Sequence, residues 1–342
     1  MLMTTQGNKH KLWWQLCFLL FLIVASVIII KNHKEMEFIK NSGYVFGTVY
    51  NITYQYDRDL SPEITARLKE VDEALSTFNP QSVISLINSN QNMMTNSMFD
   101  HVFTLAMQVS NDTHGAFDIT VAPLVNQWGF GFKHGTMPTP EVIDSLRQLV
   151  GYRQVKLTNH RIIKQRPEIM LDCSAIAKGY GCDAVAQLLR SLGITNFLVE
   201  IGGEVVASGK NARQDKWRIG VTKPIDDSLN VNNEMQTILP LTDMAMATSG
   251  NYRNFYYKNG RKYAHTINPK TGMPVQHNIL SATVITNSCA KADAYATAFM
   301  VMGLDSAKAV MKRHPEMMAY FICDDGKGGY KVWKSEKLNV CQ

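Results

Sequence analysis

Residues 175–208 read AIAKGYGCDAVAQLLRSLGITNFLVEIGGEVVAS, and this stretch decides the fold class. The apolar pattern from Ala175 to Leu192 predicts a long helix that ends at Gly193. Two short apolar runs, Phe197–Ile201 and Val205–Ser208, predict strands joined by a Gly-Gly bend. A helix followed by a hairpin departs from the βαβ rhythm of a doubly wound parallel sheet. The predicted fold class is therefore α+β or mixed α/β.

The rest of the body has the same mixed character, and Gly202-Gly203 does not form the G-x-G-x-x-G pattern of a dinucleotide-binding fold. Further helices are predicted at Ser61–Leu75, Ser82–Asn88, Met98–Ser110, Pro140–Leu149, Lys291–Met302 and Asp305–His314. Further strands are predicted at Tyr44–Tyr56, Gln154–Leu157, Ile162–Lys164, Trp217–Val221, Gln236–Pro240, Met246–Ser249, His265–Ile267, Ser281–Thr286, Met318–Cys323 and Lys331–Lys334. Gly115–Gly131 is predicted to be an irregular, glycine-rich loop.

Composition and charge exclude several classes of protein. The chain has 342 residues, of which 45% are hydrophobic and 19% charged, so it can form a packed core and is not disordered as a whole. Its net charge of +6 is too small to indicate nucleic-acid binding. The six cysteines include no C-x-x-C pair, which argues against a disulfide scaffold and against a structural zinc site.

The N-terminal segment predicts a membrane anchor. Residues 12–30 carry no charge, and at about 1.5 Å per residue such a helix crosses a hydrocarbon core of about 30 Å. We therefore divide the chain into a short tail (1–11), a transmembrane signal anchor (12–30), a linker (31–43) and a large domain (44–342). Cys17 follows Trp-Gln-Leu rather than small residues, which argues against a lipid anchor. Lysines flank the apolar run on both sides, so charge alone leaves its orientation open.

The segment Leu171–Tyr180 (LDCSAIAKGY) is a candidate phosphate site. Its small residues lead into the predicted helix, whose first N–H groups and positive dipole end suit an anion. Lys178 lies in the first turn and adds a point charge. An ordinary helix start that happens to contain a lysine is the alternative.

Asp293 and Thr297, in the segment ADAYATA (292–298), are a candidate metal-binding pair. Four residues apart on a predicted helix, they share one face. A carboxylate and a hydroxyl, with carbonyl oxygens nearby, suit Mg²⁺ or Ca²⁺ rather than zinc. The alternative is a polar pair within an alanine-rich packing stripe.

Two further segments carry possible chemistry. His265 precedes an apolar residue and an N-P-K-T-G turn, and an imidazole is suited to act as a general base near neutral pH. Gly115–Val125 (GAFDITVAPLV) combines aromatic, glycine and acidic residues that could stack on a flat ring and bond its polar edge. A structural histidine and core aromatic residues are the alternatives.

These segments, in their order along the chain and together with Phe46-Gly47-Thr48 and Ser76-Thr77-Phe78, resemble the ApbE family of FAD:protein FMN transferases. The resemblance runs from about Gly47 to Gly303 and implies a mixed α/β body of the T-fold-like kind. It implies a divalent cation, Mg²⁺ with Mn²⁺ as an alternative, bound by the backbone carbonyl of Ala175 and the side chains of Asp293 and Thr297.

The resemblance also implies which residues contact FAD, the substrate. His265 and Asp293 are the implied catalytic residues. This chain has phenylalanine where relatives often have Met before G-T and Tyr in the S-T-F segment, so the contact of a tyrosine hydroxyl is lost. The implied FAD contacts are Phe46, Phe78, Ala116, Phe117, Asp118, Lys178 and His265.

The implied reaction attaches FMN through a phosphoester to a Thr or Ser hydroxyl of a partner protein and releases AMP. The expected partner is a flavoprotein subunit of a membrane redox complex that carries a D-G-x-T-G-A-T-like motif; no nucleic acid is expected. The expected location is the bacterial inner membrane, with one N-terminal span and the catalytic domain in the periplasm. A metal-dependent FAD pyrophosphatase and a non-catalytic flavin-binding module are the alternatives.

Overall fold

The computed structural model describes residues 6–32, 36–132, 137–226, 234–252, 254–258, 260–276, 278–327 and 329–340. The chain divides into two compact units, residues 1–38 and 39–342. The first unit contains helix α1, Gln6–Asn32. Within the described residues, no helix has both the length and the apolar character that crossing a membrane requires. The predicted tail is described only from residue 6 and the predicted linker without residues 33–35.

The second unit mixes helices and strands, as predicted. The helices that follow α1 are α2 (Ser61–Leu75), α3 (Val83–Asn88), α4 (Ser97–Asp112), α5 (Ala122–Gln127), α6 (Pro140–Arg147), α7 (Ala177–Ser191), α8 (Cys289–Met302) and α9 (Leu304–Arg313). The strands are β1 (Phe38–Val45), β2 (Thr48–Gln55), β3 (Val155–Thr158), β4 (Arg161–Lys164), β5 (Phe197–Ile201), β6 (Glu204–Ser208), β7 (Trp217–Thr222), β8 (Met235–Leu241), β9 (Met244–Gly250), β10 (Phe255–Lys258), β11 (Arg261–Ala264), β12 (Ile279–Thr286), β13 (Met318–Asp324) and β14 (Tyr330–Lys334).

One eight-stranded sheet organises the second unit. Its strand order is β1-β2-β5-β6-β9-β12-β13-β14, and each pairing given from β2 to β14 is antiparallel. Three two-stranded sheets, β3–β4, β7–β8 and β10–β11, accompany it among the described residues. Every residue of β6 is buried, so both faces of the central sheet are covered there. This is the α+β arrangement that residues 175–208 predict.

Helices α7 and α8 pack against each other and against the central strands. The core around α8 includes Phe299 and Phe321, and the core around α7 includes Leu189 and Phe197, all fully buried. Gly179 makes the close approach of the two helices possible, because a Cβ at this position would lie 2.4 Å from the backbone oxygen of Cys289. The start of α7 is thereby held directly against α8.

Several predicted boundaries differ from the structure. The strand predicted at Tyr44–Tyr56 is two strands, β1 and β2, joined at Phe46 and Gly47, which have φ angles of +52° and +73°. The aromatic and β-branched pattern continues across this turn, so alternation alone does not reveal it. β1 begins at Phe38, inside the segment predicted to be a linker. Helix α5 lies inside the predicted loop Gly115–Gly131.

Candidate active site

The carboxylate of Asp183, on α7, fixes the start of α8. It accepts hydrogen bonds from the N–H groups of Cys289 (2.8 Å) and Ala290 (2.9 Å) and from Oγ of Ser288 (2.8 Å). The first N–H groups of a helix lack partners within the helix, so a half-buried acid from a neighbouring helix satisfies them. Asp293, about one turn further along α8, is positioned by this cap.

Asp293 is 3% exposed and contacts the first turn of α7. Its Oδ2 accepts a hydrogen bond from the N–H of Gly179 at 3.1 Å. In a continuous helix that N–H would bond the carbonyl oxygen of Ala175, four residues earlier. Within the described part of the chain, the carbonyl of Ala175 is therefore left without this donor and can face a cation.

Thr297 lies one turn after Asp293 on α8, and its Oγ1 is 2.9 Å from Oγ of Ser249, on β9. A carboxylate, a hydroxyl and a backbone carbonyl are hard-oxygen donors of the kind that suits Mg²⁺. No group of three or more His, Cys, Asp or Glu side chains that could hold a metal occurs among the residues described. The residues present thus fit a cation that keeps several water or phosphate ligands, and do not fit zinc.

Lys178, at the start of α7, forms an ion pair with Glu204, the first residue of β6. The side chain of Lys178 is 32% exposed, whereas Glu204 is 2% exposed. Oε1 of Glu204 contacts the ammonium group, but its buried Oε2 has no hydrogen-bond partner among the described residues. Lys178 therefore reaches from a buried acid toward the solvent-accessible side of the site.

The charged groups around Lys178 act on one another. Burial lowers the pKa of Lys178, but the charges of Glu204 and Asp293 outweigh this effect and raise it above its ordinary value. Burial raises the pKa of Glu204 to about 7 against the opposing charge of Lys178, and burial likewise raises the pKa of Asp293. Burial lowers the pKa of His265, and the positive charge of Lys178 lowers it further. These four residues form one electrostatic cluster.

His265 follows β11 and is held by a backbone carbonyl. Its Nδ1 lies 3.2 Å from the carbonyl oxygen of Asn254. A carbonyl only accepts, so the neutral ring carries its proton on Nδ1 and leaves the lone pair on Nε2. His265 lies just beyond the end of the strand rather than in the strand predicted at His265–Ile267. A neutral, oriented imidazole of this kind is suited to accept a proton at Nε2.

The segment 115–118 is held in place by contacts within the chain. The ring of Phe117 is 3% exposed and belongs to the main core, and its stacking on a ligand stays a prediction. The carboxylate of Asp118 accepts from N–H and Oγ1 of Thr120 and from the N–H of Tyr152. Its side chain therefore shapes the loop, and burial raises its pKa.

A separate cavity of about 520 Å³ adjoins this loop. Its lining includes Ala116, Asn268, Lys270, Met302 and Arg313. Of the seven predicted FAD contacts, Ala116 lines this cavity and the other six, Lys178 and His265 among them, do not.

The two phenylalanines of the resemblance are placed differently from each other. Phe46 is half-buried, and its Cε2 would lie 2.7 Å from a Cβ at Gly181, so its ring covers the second turn of α7. Phe78 is 75% exposed, in the connection between α2 and α3. An exposed phenyl ring is available to pack against an aromatic ligand face.

Three residues of the site were not predicted as site residues. Asp183 caps α8, Glu204 pairs with Lys178, and Ser249 contacts Thr297. Asp183 and Glu204 lie in the stretch 175–208 and Ser249 ends a predicted strand, but no spacing rule connects them with their partners. Glu204, directly after Gly-Gly, carries the one signal that could have been used, since an acid at the start of a fully buried strand needs a partner.

The fold and the site define a class of protein: an antiparallel α+β body with a cationic helix start beside hard-oxygen donors, suited to a metal-bound diphosphate. The comparisons with known proteins identify the family. The sequence model of the ApbE family matches residues 46–322. An FAD:protein FMN transferase of Vibrio cholerae is 36% identical over 92% of this chain and 96% of its own length. One from Haemophilus influenzae is 35% identical over 86% and 89% of the two chains.

Solved structures give the same result. The flavin transferase ApbE from Vibrio cholerae superposes with a TM-score of 0.79, 35% identity and coverage of 88% of this chain and 97% of that one. The flavinyl transferase ApbE of Pseudomonas stutzeri, in its apo form, superposes with a TM-score of 0.78 at 31% identity, covering 89% and 96%. This chain belongs to the ApbE family.

Proposed function

We propose that this enzyme transfers FMN from FAD to a Thr or Ser hydroxyl of a partner protein. The names of the relatives, which cover most of this chain at 30–36% identity, support transferase activity on FAD and a protein. The observation that carries the proposal is the position of Lys178, which pairs with Glu204 and whose charge acts on Asp293 and lowers the pKa of His265. This position supports a single site for the proposed phosphate-binding, metal-binding and basic groups.

Asp293, Thr297 and the backbone carbonyl of Ala175 would hold a divalent cation, which we propose to be Mg²⁺, with Mn²⁺ as an alternative. When bound, the cation would neutralise the FAD diphosphate and the charge that develops on the departing AMP. Ser249 would orient the hydroxyl of Thr297 through the 2.9 Å contact. Asp183 would keep Asp293 in place by fixing the start of α8.

The chain's own residues would carry the remaining steps. Lys178 and the first N–H groups of α7 would orient the diphosphate with the FMN phosphorus facing the acceptor. Nε2 of His265 would take the proton of the acceptor hydroxyl. The acceptor oxygen then bonds to the FMN phosphorus, and the bond from that phosphorus to the bridging oxygen breaks. AMP leaves with the bridging oxygen.

For FAD binding we propose the contacts implied by the family motifs. The exposed ring of Phe78 and the half-buried ring of Phe46 offer apolar faces to the nucleotide. Segment 116–118 would contribute through its backbone and through the loop that Asp118 shapes, because Phe117 lies in the core.

The partner and the location are also proposals. We propose an acceptor subunit of a membrane redox complex with a D-G-x-T-G-A-T-like motif. We propose that residues 12–30 anchor the chain in the bacterial inner membrane with the catalytic domain in the periplasm. The support is the uncharged apolar run between flanking lysines.

Intact-mass analysis of an acceptor protein tests the proposed function. The full-length chain in detergent is incubated with FAD, Mg²⁺ and a protein that carries the acceptor motif. We expect the acceptor to gain the mass of one FMN unit and AMP to accumulate in equal amount. Release of free FMN and AMP at the same rate without acceptor, and no adduct with it, would instead assign a pyrophosphatase.

The pH dependence of kcat/KM tests the role of His265. A general base must be unprotonated, so activity is lost as the pH falls through its pKa. Burial and the charge of Lys178 lower this pKa, so we expect the acid limb to have its midpoint below the ordinary histidine value of about 6.5. His265→Gln should lower the rate by about 10²–10⁴-fold and remove this limb. A limb that persists in this variant would place the base elsewhere.

A further inference from the structure

Glu204 is the member of the charge cluster that the proposed mechanism leaves without a task. It lies at the start of β6, is 2% exposed, and directs Oε1 at Lys178 while its buried Oε2 has no partner among the described residues. Leaving a carboxylate oxygen buried and unpaired is costly. A purely structural ion pair with Lys178 would not explain why Oε2 of Glu204 is buried without a partner.

The charges of the cluster explain what Glu204 does to an incoming anion. Lys178 contributes one positive charge, and Glu204 and Asp293 contribute two negative charges, so the three groups together carry one negative charge. Asp183, whose charge also acts on Asp293, adds to the negative side. The diphosphate of FAD carries two further negative charges and is repelled. A divalent cation at Asp293 changes the charge of the three groups from one negative to one positive, and with Asp183 included from two negative to zero, so the repulsion is removed.

We propose that Glu204 makes the binding of FAD conditional on the divalent cation, by neutralising Lys178 until the cation has offset the charge of Asp293. This inference rests on the proposed function, because it concerns the same diphosphate site. Its consequence is a preference for the metal–diphosphate complex over the bare nucleotide. Glu204 acts through Lys178 and the local field, so it is a positioning residue.

The substitution Glu204→Gln tests the proposal, since it removes the charge and keeps the shape. FAD affinity of the full-length chain in detergent is measured by flavin fluorescence, once with Mg²⁺ and once with EDTA. A pH of about 8 keeps Glu204 ionised, above its pKa of about 7. We expect the ratio of the two dissociation constants to be on the order of 100 in the unsubstituted enzyme. In E204Q the ratio should fall at least about tenfold, through tighter binding in EDTA.

Three further variants control this test. Glu204→Asp keeps the charge and should keep the metal dependence. Glu73→Gln removes an exposed carboxylate on α2 and should leave both dissociation constants unchanged. Glu204→Ser, which is smaller and uncharged, carries the same expectation as E204Q and replaces it if thermal unfolding shows that E204Q is not folded.

The outcomes distinguish this inference from the proposed function. If Glu204 is only a structural residue, its neutral variants weaken FAD binding equally with Mg²⁺ and with EDTA, and the unchanged ratio overturns the inference. If the unsubstituted enzyme binds no FAD even with Mg²⁺, the proposed function fails instead. The proposal is supported if the ratio of the two FAD dissociation constants falls at least about tenfold in E204Q and E204S but is retained in E204D.

Discussion

Asp293→Asn is expected to lower the rate of FMN transfer by about 10³-fold or more. The substitution removes the one carboxylate of the proposed cation site while keeping a side chain of the same shape. The amide oxygen can still accept the 3.1 Å hydrogen bond from Gly179, so α7 and α8 should keep their positions. The loss therefore reports on the cation and its electrostatic contribution, which supplies several kcal/mol in reactions of this type. The intact mass of the acceptor, followed over time, measures it.

A matched variant controls for the loss of a negative charge. Asp305→Asn changes an exposed carboxylate in the first turn of α9 and should leave the transfer rate unchanged. A calorimetric titration with Mg²⁺ and FAD should show the cation-dependent heat lost in D293N and retained in D305N. If D293N transfers FMN within tenfold of the unsubstituted enzyme, the cation is not held by Asp293.

Gly179→Ala is expected to damage both stability and activity. The added Cβ would lie 2.4 Å from the backbone oxygen and 2.6 Å from the backbone carbon of Cys289. Backbone atoms cannot rotate away, so α7 and α8 must separate, at a cost of about 1–3 kcal/mol of unfolding free energy. The same movement takes the N–H of Gly179 away from Asp293. A displacement of about 1 Å at a catalytic group can cost about 10²-fold in rate.

Gly181→Ala, two residues along the same helix, is the comparison. Its Cβ would meet Cε2 of Phe46 at 2.7 Å, and a side-chain ring can shift where a backbone cannot. We expect a smaller loss of unfolding free energy, partly offset by the higher helix propensity of alanine, about 1 kcal/mol. Chemical denaturation of both variants measures the difference. Equal stability of G179A and the unsubstituted protein would contradict the close helix contact.

Local sequence patterns predicted the two helices that carry the candidate site residues. Asp293 and Thr297, four residues apart, both lie on helix α8, as predicted. Lys178 lies in the first turn of helix α7. Both predictions depend on short-range periodicity, which can be read directly from neighbouring residues in the sequence. The resemblance then assigned these residues, with His265, to one site, although they are far apart along the chain.

Other parts of the site depend on tertiary contacts and could not be predicted in this way. The pair Lys178–Glu204 requires the start of β6 to lie beside the start of α7, which no local pattern specifies. Asp118 is an acid in a glycine-rich loop by sequence, and only the fold shows that three donors occupy its carboxylate. Phe117 is equally ambiguous, because an aromatic residue beside glycine fits a core or a binding surface. Its side chain lies in the core.

A crystal structure of the full-length enzyme with FAD and Mg²⁺ tests the central claim most directly. We predict a cation bonded to the Asp293 carboxylate, the Thr297 hydroxyl and the Ala175 carbonyl oxygen, with the FAD diphosphate on its open side and within reach of Lys178. A cation bound elsewhere, or a diphosphate located away from the start of α7, would contradict it.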